Sequence, residues 1–226
     1  MNASVRFFDI LFSGLALLVL VPFILPIMIA LKLTGEHHIF YLQPRVGKGG
    51  IEFNIIKFAT MLENSPNLPG GFITQLKDPR VLPMGHFLRK TKINELPQLL
   101  NIFIGQMSIV GPRPIVAQHL ALYPEKTREA ILTMTPGLTG IASLIFRDEE
   151  GVLDRVGGDR KYFHDKVITP FKGELELWWS KHRTIGNYFK VIFLTAWALF
   201  SPRISLWKKW FKDLPEPPEV LKLNGA

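Results

Sequence analysis

Residues 10–31 form an apolar run without a charged side chain, bracketed by Arg6 and Asp9 before and Lys32 after. About 20 apolar residues cross a bilayer core, so the run predicts a membrane helix. A signal peptide fits poorly, because the run is long and no small-residue cleavage pattern follows. Pro22 and Pro26 fall in its middle, and each removes a helical hydrogen bond. The pair favours a broken helix that enters and leaves by one face. A straight span stays open on these grounds.

Beyond it the pattern shortens. Residues 39–50 read as a short strand ending in the Gly-rich turn Gly47-Lys48-Gly49-Gly50, and 52–58 as a second strand. That turn is not a P-loop, since the leading Gly, the spacing and the hydroxyl after Lys are missing. Residues 63–76 read as a loop and 85–90 as helical. Leu96, Leu99, Leu100 and Phe103 recur at helical spacing and mark one apolar face. Residues 117–134 read as an amphipathic helix, and Leu144-Ile145-Phe146 as a strand-like run. Glu149 and Glu150 then read as a solvated helix start. Residues 188–200 are mostly apolar but too short to span. Trp207, Lys208, Lys209, Trp210 and Lys212 mix rings and amines, as suits a lipid headgroup layer. Pro215, Pro217 and Pro218 predict a disordered tail.

Charge changes the picture. Lys and Arg number 27 against 19 Asp and Glu, a net +8 that favours anionic partners. No nucleic-acid-binding pattern accompanies it. The absence of Cys excludes disulfides and thiolate chemistry. Histidines 37, 38 and 86 lack metal-ligand spacing.

The cations gather around Arg89-Lys90-Thr91-Lys92-Ile93-Asn94-Glu95-Leu96-Pro97. Pro97 suits a first helical turn, which puts Asn94 at or near the N-cap and Glu95 just inside. A helix start attracts anions, so a phosphate fits here. Plain capping explains the same residues. In Gly111-Pro112-Arg113-Pro114 a guanidinium sits between two stiff residues. Its fork suits a phosphate, and a rigid turn is the simpler account.

The order Arg89-Lys90-Thr91, Asn94-Glu95-Leu96-Pro97-Gln98-Leu99, Gly105-Gln106-Met107-Ser108-Ile109-Val110-Gly111-Pro112-Arg113-Pro114 and Pro136-Gly137-Leu138-Thr139-Gly140 resembles the bacterial sugar transferases, the monotopic phosphoglycosyl transferases. The likeness runs from about Val5 to about Leu199. It implies transfer of a sugar-1-phosphate from a UDP-sugar to a membrane polyprenol phosphate, with release of UMP, at the start of bacterial glycoconjugate synthesis. It implies Mg²⁺, held by Glu95 with the carbonyl oxygen of Asn94. Arg89, Arg113 and Arg147 become the phosphate contacts. The family nucleophile is an Asp at the position of Asn94, and its Lys-Phe-Arg-Thr-Met appears here as Lys57-Phe58-Ala59-Thr60-Met61. An amide is a poor nucleophile, and losing a nucleophile costs roughly 10⁴ or more in rate. The chain is then a trap variant of an active enzyme, a natural member that binds without turnover, or one in which Glu95 attacks. Glu95, one residue along a helix, would point about 100° away. Two lost charges in separate motifs favour a natural, divergent member.

The expected fold is α+β: a re-entrant membrane helix over 1–34, a catalytic-type domain with a small sheet over 35–200, and an interfacial segment with a Pro-rich tail over 201–226. Amphipathic helices would lie on inner-membrane phospholipid at the cytoplasmic face. A homo-oligomer is left open. The alternative function is a silent paralogue acting as a donor-binding, lipid-binding or scaffold protein.

Overall fold

The computed structural model describes residues 2–69, 78–156, 158–200 and 207–223. Residues 70–76 of the expected loop, and 201–206 and 224–226 of the terminal segment, lie outside the described residues. The chain is α+β. Helix α1 (Ala3–Leu33) leads into a hairpin of β1 (Phe40–Val46) and β2 (Glu52–Phe58). Then come α2 (Pro83–Lys90), α3 (Gln98–Ile104), β3 (Ser108–Val110), α4 (Ala117–Leu120), α5 (Glu125–Leu132) and β4 (Gly137–Thr139). The second half is helical: α6 (Ile141–Ile145), α7 (Glu149–Val156), α8 (Arg160–Phe163), α9 (Thr169–His182), α10 (Ile185–Phe200), α11 (Trp207–Trp210) and α12 (Glu219–Leu223).

Helix α1 has 31 residues, a length of about 46 Å. It passes through Pro22 and Pro26 as one helix, where the sequence favours a break. Its length and hydropathy suffice to cross a membrane. Yet it touches the globular part along its whole course. Val5 and Phe8 pack on the helical core formed by residues such as Ile141, Ile168, Leu175 and Val191. Ala16, Leu17 and Leu20 meet Ile55, Leu99, Ile102 and Met107. Ile24, Ile27 and Met28 pack with Leu31, Phe58 and Leu88. Polar ties fix the near end: Arg6 donates to the carbonyls of Ile102 and Phe103, and buried Asp9 accepts from the Ile109 N–H and the Tyr188 hydroxyl.

The hairpin is antiparallel, in register from Phe40↔Phe58 to Val46↔Glu52. Gly49 and Gly50 take φ of 71° and 79°, which glycine adopts without penalty. Strands β3 and β4 pair in parallel, Ser108↔Gly137 and Val110↔Thr139. Asn101 joins α3 to β2: its Oδ1 accepts from the Ile56 N–H and its Nδ2 donates to the Asn54 carbonyl.

Several sequence expectations change. The helix predicted over 117–134 splits into α4 and α5 at Tyr123-Pro124, since Pro124 disfavours helical backbone in the residue before it. The run 144–146 falls at the end of helix α6, because a short apolar run cannot distinguish strand from helix. On α3 the buried apolar residues are Leu99 and Ile102, while Leu100 and Phe103 are exposed. Within the tail, residues 219–223 form helix α12, with Leu221 fully buried in the main core.

Candidate active site

Two glycine-bearing turns make the frame. The Gly111 N–H donates to Thr139 O, and the Gly137 N–H to Pro112 O. A Cβ on Gly111 would lie 2.3 Å from Thr135 O, and one on Gly137 2.1 Å from Gly111 N. Only glycine permits this approach, which locks the Gly-Pro-Arg-Pro turn onto the Thr-Pro-Gly-Leu-Thr-Gly turn. Val46 of β1 adds a bridge to Ile115. Arg113 thus projects from a rigid base.

On the opposite side Lys92 takes a left-handed φ of 60°, costing about 1–2 kcal/mol for a residue with a Cβ. It turns the chain into a single 3₁₀ turn, Ile93–Glu95. Asn94 is therefore not the cap of α3, as the Pro97 spacing suggests; Pro97 itself stands before Gln98. Asn94 is buried, and its Oδ1 has no hydrogen-bond partner.

All five candidate residues, Arg89, Asn94, Glu95, Arg113 and Arg147, line one open cleft of about 1210 Å³. Arg113 Nη2 donates to Glu95 Oε1 at 2.7 Å, and Lys57 Nζ lies 3.7 Å from the same oxygen. Burial would raise the Glu95 carboxyl. Arg113 and Lys57 outweigh it and hold the group far below the ordinary carboxylate range. Arg89 lies 3.4 Å from Glu150, and Arg147 is exposed on the cleft wall. Asn94 and Glu95 face the same cleft, so the angular argument against Glu95 does not separate them. What restrains Glu95 is its pairing with two cations.

Sequence reasoning missed Lys57 and Arg45. Both have a readable signal. Tyr41, Gln43 and Arg45 share one face of β1 at period two, and Tyr41 pairs with Lys57 across the hairpin. All four line the cleft. Burial, then the Arg113 charge, lowers Arg45 to about 10. Burial lowers Lys57 to about 8, opposed by Glu95 and reinforced by Arg113, Arg45 and Arg89. Glu149, read as solvated, is instead paired: Lys172 Nζ lies 2.7 Å from its Oε2 and His164 Nε2 3.4 Å from its Oε1. Ala59 is buried, and the cleft wall passes from Phe58 to Thr60 without it.

Among the described residues no three His, Cys, Asp or Glu side chains converge as a metal cage. Glu95 and Asn94 both line the cleft and carry hard oxygen donors, the Asn94 Oδ1 buried and without a partner. They fit Mg²⁺, which takes one or two protein ligands and completes its shell with phosphate and water.

A family model described as bacterial sugar transferase matches residues 1–202. The chain belongs to this family. This bacterial sugar transferase is 40% identical over 173 residues to the exopolysaccharide production protein ExoY of Sinorhizobium fredii (strain NBRC 101917 / NGR234), covering 70% of this chain and 76% of that one. It is 32% identical over 200 residues to the UDP-glucose:undecaprenyl-phosphate glucose-1-phosphate transferase of Klebsiella pneumoniae, covering 86% of this chain but 40% of that protein. Over 205 residues it is 31% identical to the undecaprenyl-phosphate galactose phosphotransferase of Salmonella typhimurium, covering 84% and 39%. The chain thus spans about two-fifths of the length of these two transferases.

Proposed function

We propose that the cleft binds a UDP-sugar by its diphosphate and presents it to a polyprenol phosphate at the membrane surface. The chain has the apparatus of sugar-1-phosphate transfer for exopolysaccharide synthesis, with the covalent step disabled at Asn94. The observation that carries this is the convergence of Arg89, Asn94, Glu95, Arg113 and Arg147 on one cleft, with Lys57 and Arg45 behind them. The names of the relatives support the donor and acceptor classes.

Phosphoryl transfer asks a protein mainly for positioning and neutralised charge. Arg113, on its rigid turn, and Arg147 meet the phosphate oxygens, and Lys57 adds charge from the floor. Arg89 exchanges Glu150 for phosphate. In the family route a carboxylate at position 94 attacks the sugar-linked phosphorus, the bond to UMP breaks, and a phosphosugar ester remains. The polyprenol phosphate then attacks that phosphorus and frees the carboxylate. The Asn94 amide has no anionic oxygen with which to form this ester. Glu95, ion-paired with Arg113, holds its charge too tightly to replace it. Mg²⁺ held by Glu95 and Asn94 Oδ1 would neutralise charge on the diphosphate.

The membrane assignment rests on α1. A helix that meets the globular part near Phe8 and again at Leu31 does not carry one end away across a bilayer. This supports a helix that keeps to one side of the membrane. Its free side presents Leu15, Leu18 and Phe23, and Phe103, Ile104, Trp197 and Trp210 are exposed on neighbouring elements. The basic excess suits anionic headgroups on the cytoplasmic face.

A silent binding protein is the second reading, favoured by the buried amide at position 94. One experiment tests donor binding. UDP-glucose and UDP-galactose are titrated into the chain in anionic nanodiscs with Mg²⁺, and UMP release is followed in parallel. Binding that Arg113→Met abolishes supports the donor site. No binding of either sugar nucleotide refutes it. UMP release by the unmutated chain would decide against both readings, since each leaves Asn94 without turnover.

A further inference from the structure

The phosphate-facing cations leave one wall of the cleft unused. It is formed by α9, the N-terminus of α7 and a π-helical turn over His164–Ile168. This wall is polar and rich in acids. Glu176 of α9 is 4% exposed and lines the cleft, and its Oε2 is buried without a hydrogen-bond partner. One helical turn earlier Lys172 binds Glu149 at 2.7 Å. Glu149 in turn meets His164, whose Nδ1 lies 2.8 Å from Asp165.

We propose that this wall is the sugar subsite of the donor, where Glu176, Glu149, Lys172 and His164 recognise the hydroxyl groups of the hexose. The assignment rests on the UDP-sugar reading of the cleft. Buried polar atoms without partners are rare in folded proteins, and an unpartnered acid on a residue that lines a cleft points to a ligand that supplies the missing bond. A second phosphate fits this wall poorly, because Lys172 is already taken by the ionised Glu149 and Glu149 would repel it. Uracil offers fixed edges and a flat face, which an apolar slot would match better. A sugar hydroxyl both donates and accepts, so it suits a wall that alternates acids with a lysine and an imidazole. Burial pushes Glu176 up to about 8, with Lys172 opposing, so near neutrality the acid carries a proton and can also donate. The location agrees. Burial would raise the Glu149 carboxyl; Lys172, then His164 and Arg113, outweigh it and lower it. Arg89 lies 3.4 Å from Glu150, the neighbour of Glu149, so the acidic wall begins beside the phosphate end, where the sugar of a bound nucleoside diphosphate sugar hangs.

The test uses UDP, UDP-glucose and UDP-galactose as probes, titrated by calorimetry into the full chain in nanodiscs. Removing one buried hydrogen bond costs about tenfold in affinity, so Glu176→Leu is expected to weaken the better-bound UDP-sugar about tenfold while UDP changes by less than about twofold. Glu176→Gln, which still donates and accepts, is expected to stay within about threefold of the unmutated chain. Glu176→Met, with its adaptable thioether, takes the same test where Leu disturbs folding. Equal losses for UDP and UDP-sugar would assign the wall to the nucleotide and overturn the proposal. Unchanged affinity for every probe in the Leu or Met variant would make Glu176 structural and overturn it too. Failure of the unmutated chain to bind any probe would be seen before any substitution, and would remove the donor reading and this subsite with it.

Discussion

Lys57 gives the cleft a pH response that can be worked out in advance. Its Nζ lies 3.7 Å from Glu95 Oε1, and its side chain is 17% exposed. Burial lowers it to about 8; Glu95 opposes, while Arg113, Arg45 and Arg89 reinforce. In the free protein it is about nine-tenths charged at about pH 7 and about one-tenth charged at about pH 9. A bound diphosphate places negative charge beside it and returns it towards the ordinary lysine value of about 10.4. Above the free value, binding must therefore take up a proton. Affinity falls with rising pH, by as much as about tenfold per pH unit, and is flat below about pH 7. UDP is the cleaner probe: its last phosphate ionisation, at about 6, lies outside the window, and without a sugar it avoids Glu176. Calorimetry in buffers of different ionisation heat reads proton uptake directly. Lys57→Arg keeps the charge and removes the titration, so its affinity should hold level up to about pH 9. Constant UDP affinity from about pH 7 to about pH 9 in the unmutated chain would refute the reasoning. An equal slope in Lys57→Arg would refute it as well.

Two further predictions concern how the cleft is held. Asp9→Ala strips the acceptor from the Ile109 N–H and the Tyr188 hydroxyl, and should cost about 2–4 kcal/mol by thermal unfolding in detergent; Asp9→Asn, which keeps Oδ1, should cost less than half of that. Leu221→Ala should cost about 2–4 kcal/mol, because the side chain is fully buried, while Val220→Ala on the exposed side should change stability by less than about 0.5 kcal/mol.

The part of the site written in contiguous motifs was legible. The Asn94-Glu95 turn, the Gly111–Pro114 loop and Arg147 do share a cleft, and the Gly-rich hairpin forms where Gly49 and Gly50 allow it. What resisted reading depends on partners far along the chain. Glu149 seems solvated beside Glu150 until Lys172, 23 residues later, folds back on it. Glu176 belongs to no motif in the sequence, and only the packing of α9 against the rest of the chain buries it. The tail prolines limit local backbone, but they say nothing about Leu221 reaching the core. Pro124 is different: its effect on the preceding residue was readable and marks the break between α4 and α5.

The central claim is that this is a sugar-phosphate transferase site with its nucleophile replaced. It is tested most directly by UMP release from UDP-glucose and UDP-galactose, with Mg²⁺ and polyprenol phosphate in nanodiscs, for the unmutated chain and for Asn94→Asp. The cleft can take the new carboxylate, since Arg45, Lys57 and Arg113 outnumber Glu95 there. The account predicts that Asn94→Asp releases UMP about 10⁴-fold faster or more than the unmutated chain. Equal rates for the two proteins would contradict it.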